Sequence, residues 1–181
     1  MMEFQKVIET RRSMRKYDPY KKVTEEMVRE LIHAASLAPT WKNSQTARYY
    51  CILSDDKMKA FREECLPEFN AKNCADASAL IVAAYKKNQS GFDADGVTPT
   101  NELGNGWGIY DLGLHNENLL LKATDMGLAT LVMGIRDADK IRGFLEIPEE
   151  EEIVSVISVG YPAAEPKQPV RKSVDEIAKF F

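Results

Sequence analysis

One stretch limits the folds open to this chain more than any other. Between Ile109 and Met126, apolar residues recur at helical spacing (Ile109, Leu112, Leu119, Ala123 and Met126), and Leu114, Leu120 and Leu121 add apolar surface on further sides. A helix that is apolar on several sides has to be covered on several sides, so it belongs at the centre of a fold. Gly127 stands where a C-cap would close it. With 181 residues, 44% hydrophobic and 29% charged, the chain has the length and balance of a single globular domain over residues 1–181.

Other elements arrange themselves around that helix. Phe4, Val7 and Ile8 form the stripe of a short helix over residues 3–12, which gives way to a loop near the run Arg11-Arg12-Ser13-Met14-Arg15. Thr24, followed by Glu25 and Glu26, caps a second helix that stops before Pro39. Strands are expected over Arg48–Leu53, Ala79–Tyr85, Leu128–Met133 and Ile153–Val159, with a helix capped by Asp55 and running to about Cys65, and another starting at Asp137 and fading near Gly143. Residues 86–108 break the pattern with Gly91, Gly96, Pro99, Gly104 and Gly106, and read as a lid or substrate-side loop. From Gly160 onward, Pro162, Pro166 and Pro169 hold residues 160–181 extended as an arm, with Ser173 and Glu176 at capping-box spacing for a last short helix. Helices interspersed with strands give an α+β or α/β class, with helices covering a sheet.

Several functions are disfavoured. The apolar stretches, such as Ala77 to Tyr85, fall short of the roughly 20 residues that span a membrane. The first residues lack the basic start and apolar run of a secretory signal, so a cytoplasmic location is expected. Cys51, Cys65 and Cys74 contain no C-x-x-C pair, and His33 and His115 are the only histidines, which argues against a disulfide framework and a thiolate or His-rich metal site, while carboxylates could still bind magnesium or calcium. A net charge of −4 does not suit a nucleic-acid binder with a broad basic face. Neither G-x-G-x-x-G nor a P-loop pattern occurs.

What remains is a concentration of arginine. Arg11, Arg12 and Arg15, with Ser13, place three planar guanidinium forks and a hydroxyl within five residues, and Arg11 and Arg15 share a face if helical geometry persists. Such a set suits phosphate. Read alone, it is more simply a solvated basic helix end.

This run, the segment Ala38-Pro39-Thr40-Trp41-Lys42-Asn43-Ser44-Gln45, and Gly160-Tyr161-Pro162 followed by Arg171 together resemble, in order and across essentially the whole chain, the signature blocks of the FMN-dependent nitroreductase family. The resemblance implies an α+β fold with a central, mostly antiparallel sheet covered by helices, assembled as an intertwined homodimer. It implies that Arg11, Arg12 and Ser13 serve the FMN phosphate or nearby polar atoms, and that Arg15 approaches N1 and the C2 carbonyl of the flavin. Pro39, Thr40, Trp41 and Asn43 match a segment that reaches the flavin from the other subunit. Asn70 matches an asparagine that hydrogen-bonds the flavin, and Met133 and Gly134 match the place where backbone amides approach N5 and O4. Arg171 matches a phosphate-binding arginine on the arm. Two departures stand out: Pro169 lies where many relatives carry a second basic residue, and Gln45-Thr46 replaces a Gln-Pro pair.

By the same resemblance, NADH or NADPH reduces the flavin and a small flat acceptor, a nitroaromatic or a quinone, reoxidises it in a ping-pong cycle. The flavin carries the chemistry, so no catalytic side chain is expected. Trp41, Trp107 and Tyr110 are candidates to line the substrate face or to pack in the core, and His115, with Asn116 and Asn118, reads as a polar dimer contact. Other readings stay open: a specialised dehalogenating or flavin-modifying relative, a flavin carrier without turnover, or a dimeric interaction module.

Overall fold

The computed structural model describes residues 2–181. In chain order its elements are α1 (Phe4–Thr10), α2 (Glu25–Ser36), β1 (Ala47–Ile52), α3 (Asp55–Cys65), α4 (Glu68–Asn73), β2 (Ala79–Lys86), α5 (Gly106–Asp125), β3 (Ala129–Met133), α6 (Ala138–Leu145), β4 (Glu151–Gly160) and α7 (Val174–Ile177), with a 3₁₀ turn at Trp41–Asn43. The strands form one sheet in the order β1-β2-β4-β3, and every neighbouring pair is antiparallel.

Strand β2 explains the layering. Its side chains alternate between the sheet's two faces, and nearly all are buried. Leu80, Val82 and Ala84 pack with Met58 and Phe61 of α3 and Ile141 of α6. Ala79, Ile81, Ala83 and Tyr85 pack with Val28 and Leu31 of α2 and Leu112 and Leu119 of α5. Helices therefore cover both faces, the α+β architecture expected from the sequence. Each fully buried leucine or isoleucine in these layers contributes roughly 1.5–3 kcal/mol relative to exposure.

Helix α5 lies close against β2 because Gly108 has no side chain: a Cβ there would sit 2.3 Å from the Tyr85 ring. The helix ends in a Schellman motif, in which Leu128 N–H bonds to Ala123 O and Gly127 N–H to Thr124 O, with Gly127 at φ +74°. Thr24 caps α2 by accepting from Met27 N–H, Asp137 caps α6 by accepting from Lys140 N–H, and Ser173 with Glu176 forms the capping box of α7.

The structure differs from the sequence expectations in five places. Helix α1 ends at Thr10, so Arg11 and Arg15 do not share a helical face. Asp55 is the first residue of α3, and Ser54 holds the cap position. Helix α4 was not expected; six residues are too few to show a helical period. Helix α5 begins at Gly106, which shortens the irregular segment after β2. Helix α6 runs through Gly143 to Leu145 and closes at Glu146 in the left-handed conformation.

Among the described residues, no helix is long and apolar enough to cross a membrane, and no group of three or more His, Cys, Asp or Glu side chains is placed to hold a metal ion.

Candidate functional site

One set of candidate residues gathers on the free edge of β3. Ser13 bridges Thr130, and Met14 N–H donates to Thr130 O at 2.8 Å. The buried Tyr17 hydroxyl fixes the loop from behind, donating to Met14 O at 3.1 Å and meeting Ser158 Oγ at 2.8 Å. Burial pushes the Tyr17 pKa upward, so the phenol stays a neutral donor. Arg11 then turns toward Glu117 of α5 at 3.8 Å, and Arg12 Nη1 donates to Arg11 O at 2.7 Å. Arg15 is exposed and has no ion-pair partner among the described residues.

Met133 ends the same strand three residues beyond Thr130, about 10 Å along it. At Gly134 a Cβ would meet nothing within 4 Å, so open space adjoins this backbone. Asn70, buried on α4, donates through Nδ2 to Ile135 O at 2.8 Å and so holds the chain just past Gly134. The arginine run, Asn70, Met133 and Gly134 thus share one edge of the sheet.

Pro39, Thr40, Trp41 and Asn43 lie elsewhere. They lead into β1 on the opposite edge, with β2 and β4 between, a width of about 14 Å at the usual strand spacing. Here Trp41 and Trp107 rings stand 4.6 Å apart at 49°, and Trp107 meets Tyr110 at 5.7 Å, edge-on. The turn itself is unusual: Lys42, Asn43 and Gln45 all have positive φ, at 45°, 56° and 50°. Left-handed backbone costs a non-glycine residue roughly 1–2 kcal/mol, so surrounding contacts must hold it.

Those contacts were not foreseen. Asp111 of α5, only 3% exposed, accepts from Trp41 N–H at 3.0 Å and from Ser90 Oγ at 2.6 Å, both through Oδ2. Ser90 also meets Ser44 Oγ at 2.7 Å and Thr46 Oγ1 at 3.4 Å. Thr46, noted above as a departure from the family pattern, is therefore a fully buried member of this network. An aspartate inside an apolar helical stripe, one turn before His115, was the available signal.

Residues 87–105 are closed at their base, where Asn88 N–H donates to Asn105 Oδ1 and Asn105 Nδ2 returns a bond to Asn88 Oδ1. Asp95 gathers Val97 N–H and both the N–H and hydroxyl of Thr98. Trp107 donates to Asn101 Oδ1 at 2.9 Å.

One further residue departs from expectation. His115 and its neighbours are used within the chain: His115 is buried, Asn116 accepts from Tyr49, and Asn118 donates to Ala34 O. Arg171 is exposed on the arm. The arm is joined to the body through Ala163 N–H to Lys16 O and Asp18 N–H to Tyr161 O, then leaves Val170, Val174, Ile177, Phe180 and Phe181 exposed.

The protein is an NAD(P)H-dependent oxidoreductase. The chain belongs to the nitroreductase family, whose family model matches residues 8–161. A protein of Archaeoglobus fulgidus named as an NADH dehydrogenase/NAD(P)H nitroreductase is 29% identical over 174 residues, covering 91% of this chain and 88% of the relative. A Bacillus subtilis protein named as NAD(P)H nitroreductase YdgI is 24% identical, covering 98% of this chain and 97% of its own. Among solved structures, a Staphylococcus epidermidis protein named as an NAD(P)H:FMN oxidoreductase superposes with a TM-score of 0.88 at 20% identity, covering 100% of this chain and 97% of its own.

Proposed function

We propose that the protein is a cytoplasmic, homodimeric FMN enzyme that takes electrons from NADH or NADPH and delivers them to a nitroaromatic, a quinone or a similar flat acceptor. The observation that carries this reading is the separation of the two residue sets. Arg11, Arg12, Ser13, Arg15, Asn70, Met133 and Gly134 lie by the β3 edge, while Pro39, Thr40, Trp41 and Asn43 lie by the β1 edge, and a second copy is the simplest way to bring one set to the other. The apolar side chains of the arm need cover that a second copy also supplies. The name of the Staphylococcus epidermidis protein joins NAD(P)H with FMN and favours the same cofactor here.

The residues present fit an FMN. Arg11, Arg12 and Ser13, joined by Arg171 from the arm, offer charge-assisted donors for a terminal phosphate. Arg15, without an ion-pair partner among the described residues, presents a fixed positive charge that favours an anionic ring. The open backbone at Gly134, next to Met133, admits a flat ring without meeting a side chain there. When bound, FMN would supply the redox chemistry, accepting reducing equivalents from the nicotinamide and passing them to the acceptor. Trp107 and Tyr110 form the aromatic wall against which a flat substrate packs, and residues 87–105 act as the substrate-side cover. The test is light scattering combined with flavin absorbance. A flavin-bearing dimer is expected, and a monomer that binds FMN with full affinity overturns the composite site.

A further inference from the structure

From the hydrogen bonds around Asp111 we infer that this residue is a positioning residue of the flavin site: its buried carboxylate fixes Trp41, and through it the turn that closes the second subunit's pocket. The inference rests on the composite-site reading given above. Its own support is local. A carboxylate that is 3% exposed needs donors, and the two it has come from different parts of the chain, the backbone of Trp41 and the hydroxyl of Ser90.

The proton arrangement follows from the inventory of donors. Ser90 has one hydroxyl proton and gives it to Asp111, so Ser44 must donate to Ser90 across their 2.7 Å contact, and Thr46 must do the same. Every hydroxyl in the network is thus oriented by the one acceptor at its centre. The turn it holds has three left-handed residues that are not glycine, a backbone that does not persist without such restraint. Asp111 also joins this turn to the segment after β2, since Ser90 belongs to that segment and lies at its start. An aspartate that served stability alone would be a poor choice here, because an apolar side chain fills a helix–sheet layer without needing donors.

The chain contains only two tryptophans, and they are the stacked pair Trp41 and Trp107. Their coupled indole transitions give a circular-dichroism couplet that reports the placement of Trp41 directly. The experiment compares wild type with Asp111→Ala, Asp111→Asn and Ser90→Ala, following the couplet, FMN affinity by fluorescence titration, and thermal unfolding. Asp111→Ala is expected to lose most of the couplet well below its melting temperature and to weaken FMN binding tenfold or more. Asp111→Asn keeps an acceptor oxygen and should restore part of both signals, while Ser90→Ala should give an intermediate loss. The milder variants decide the matter if Asp111→Ala does not fold. A lowered melting temperature with an intact couplet and unchanged FMN affinity overturns the inference and leaves Asp111 a stabilising residue. FMN bound equally by wild type and all three variants overturns it while leaving the flavin reading intact. A wild-type chain that takes up no FMN overturns both.

Discussion

Asn70 Nδ2 donates to the carbonyl of Ile135 at 2.8 Å, joining a buried asparagine of α4 to the backbone two residues beyond the end of β3. The bond spans 65 residues and holds Gly134 against the open space beside it. Removing the donor leaves a carbonyl without its partner, so Asn70→Ala should destabilise the protein by about 1–3 kcal/mol. Asn70→Asp should be worse, since a carboxylate would face a carbonyl oxygen. Both should weaken FMN binding, as fluorescence titration and urea unfolding can show. Wild-type stability and affinity in Asn70→Ala would remove the residue from the site.

His115 gives a pH dependence of stability with a definite sign. Neither ring nitrogen has a hydrogen-bond partner among the described residues, and burial holds its pKa below the ordinary value, an effect partly offset by the charge of Asp111. A base with a lowered folded pKa binds its proton more readily when unfolded. Its contribution is therefore neutral above the unfolded value of about 6.5, and stability falls as pH drops below that point. His115→Leu should lose less stability than wild type between about pH 7.5 and about pH 5.5, measured by urea midpoints. An equal loss in both proteins would assign the acid sensitivity to other groups.

Arg171 tests whether the arm returns to the arginine run. It is exposed and pairs with no acidic group among the described residues, so Arg171→Ala should change stability by no more than about 0.5 kcal/mol. FMN affinity should nevertheless fall on the order of tenfold or more, because a charge-assisted fork to phosphate is lost. Arg171→Lys should recover only part, keeping charge without bidentate geometry. Riboflavin, which has no phosphate, should respond to neither change. Unaltered FMN affinity in Arg171→Ala would return Arg171 to the solvated surface.

What the sequence revealed and what it hid divide along range. Helix α5, with its closing glycine, and the cap of α7 are patterns within a few residues, and both were legible. The β2 run was legible as buried because its composition alone is apolar, but nothing local says that its alternate residues serve two helical layers. Helix α4 escaped because only Asn70 of its six residues is buried. The role of Asp111 depends on partners 21 and 70 residues away, and no local pattern encodes that meeting. The arginine run and the Trp41 turn were each visible as motifs. That they flank opposite sheet edges follows from the order β1-β2-β4-β3, which is set by tertiary pairing.

Whether this chain carries FMN is read from the identity of the flavin released from the purified, unsupplemented protein. A yellow protein is expected, whose denatured supernatant contains FMN at about one equivalent per chain, since arginine forks suit a terminal monophosphate and no dinucleotide fingerprint is present. Added NADH or NADPH should bleach the bound flavin, and oxygen, a quinone or a nitroaromatic should restore its colour. Release of FAD, or a colourless protein that binds no FMN when the cofactor is supplied, would contradict the FMN assignment.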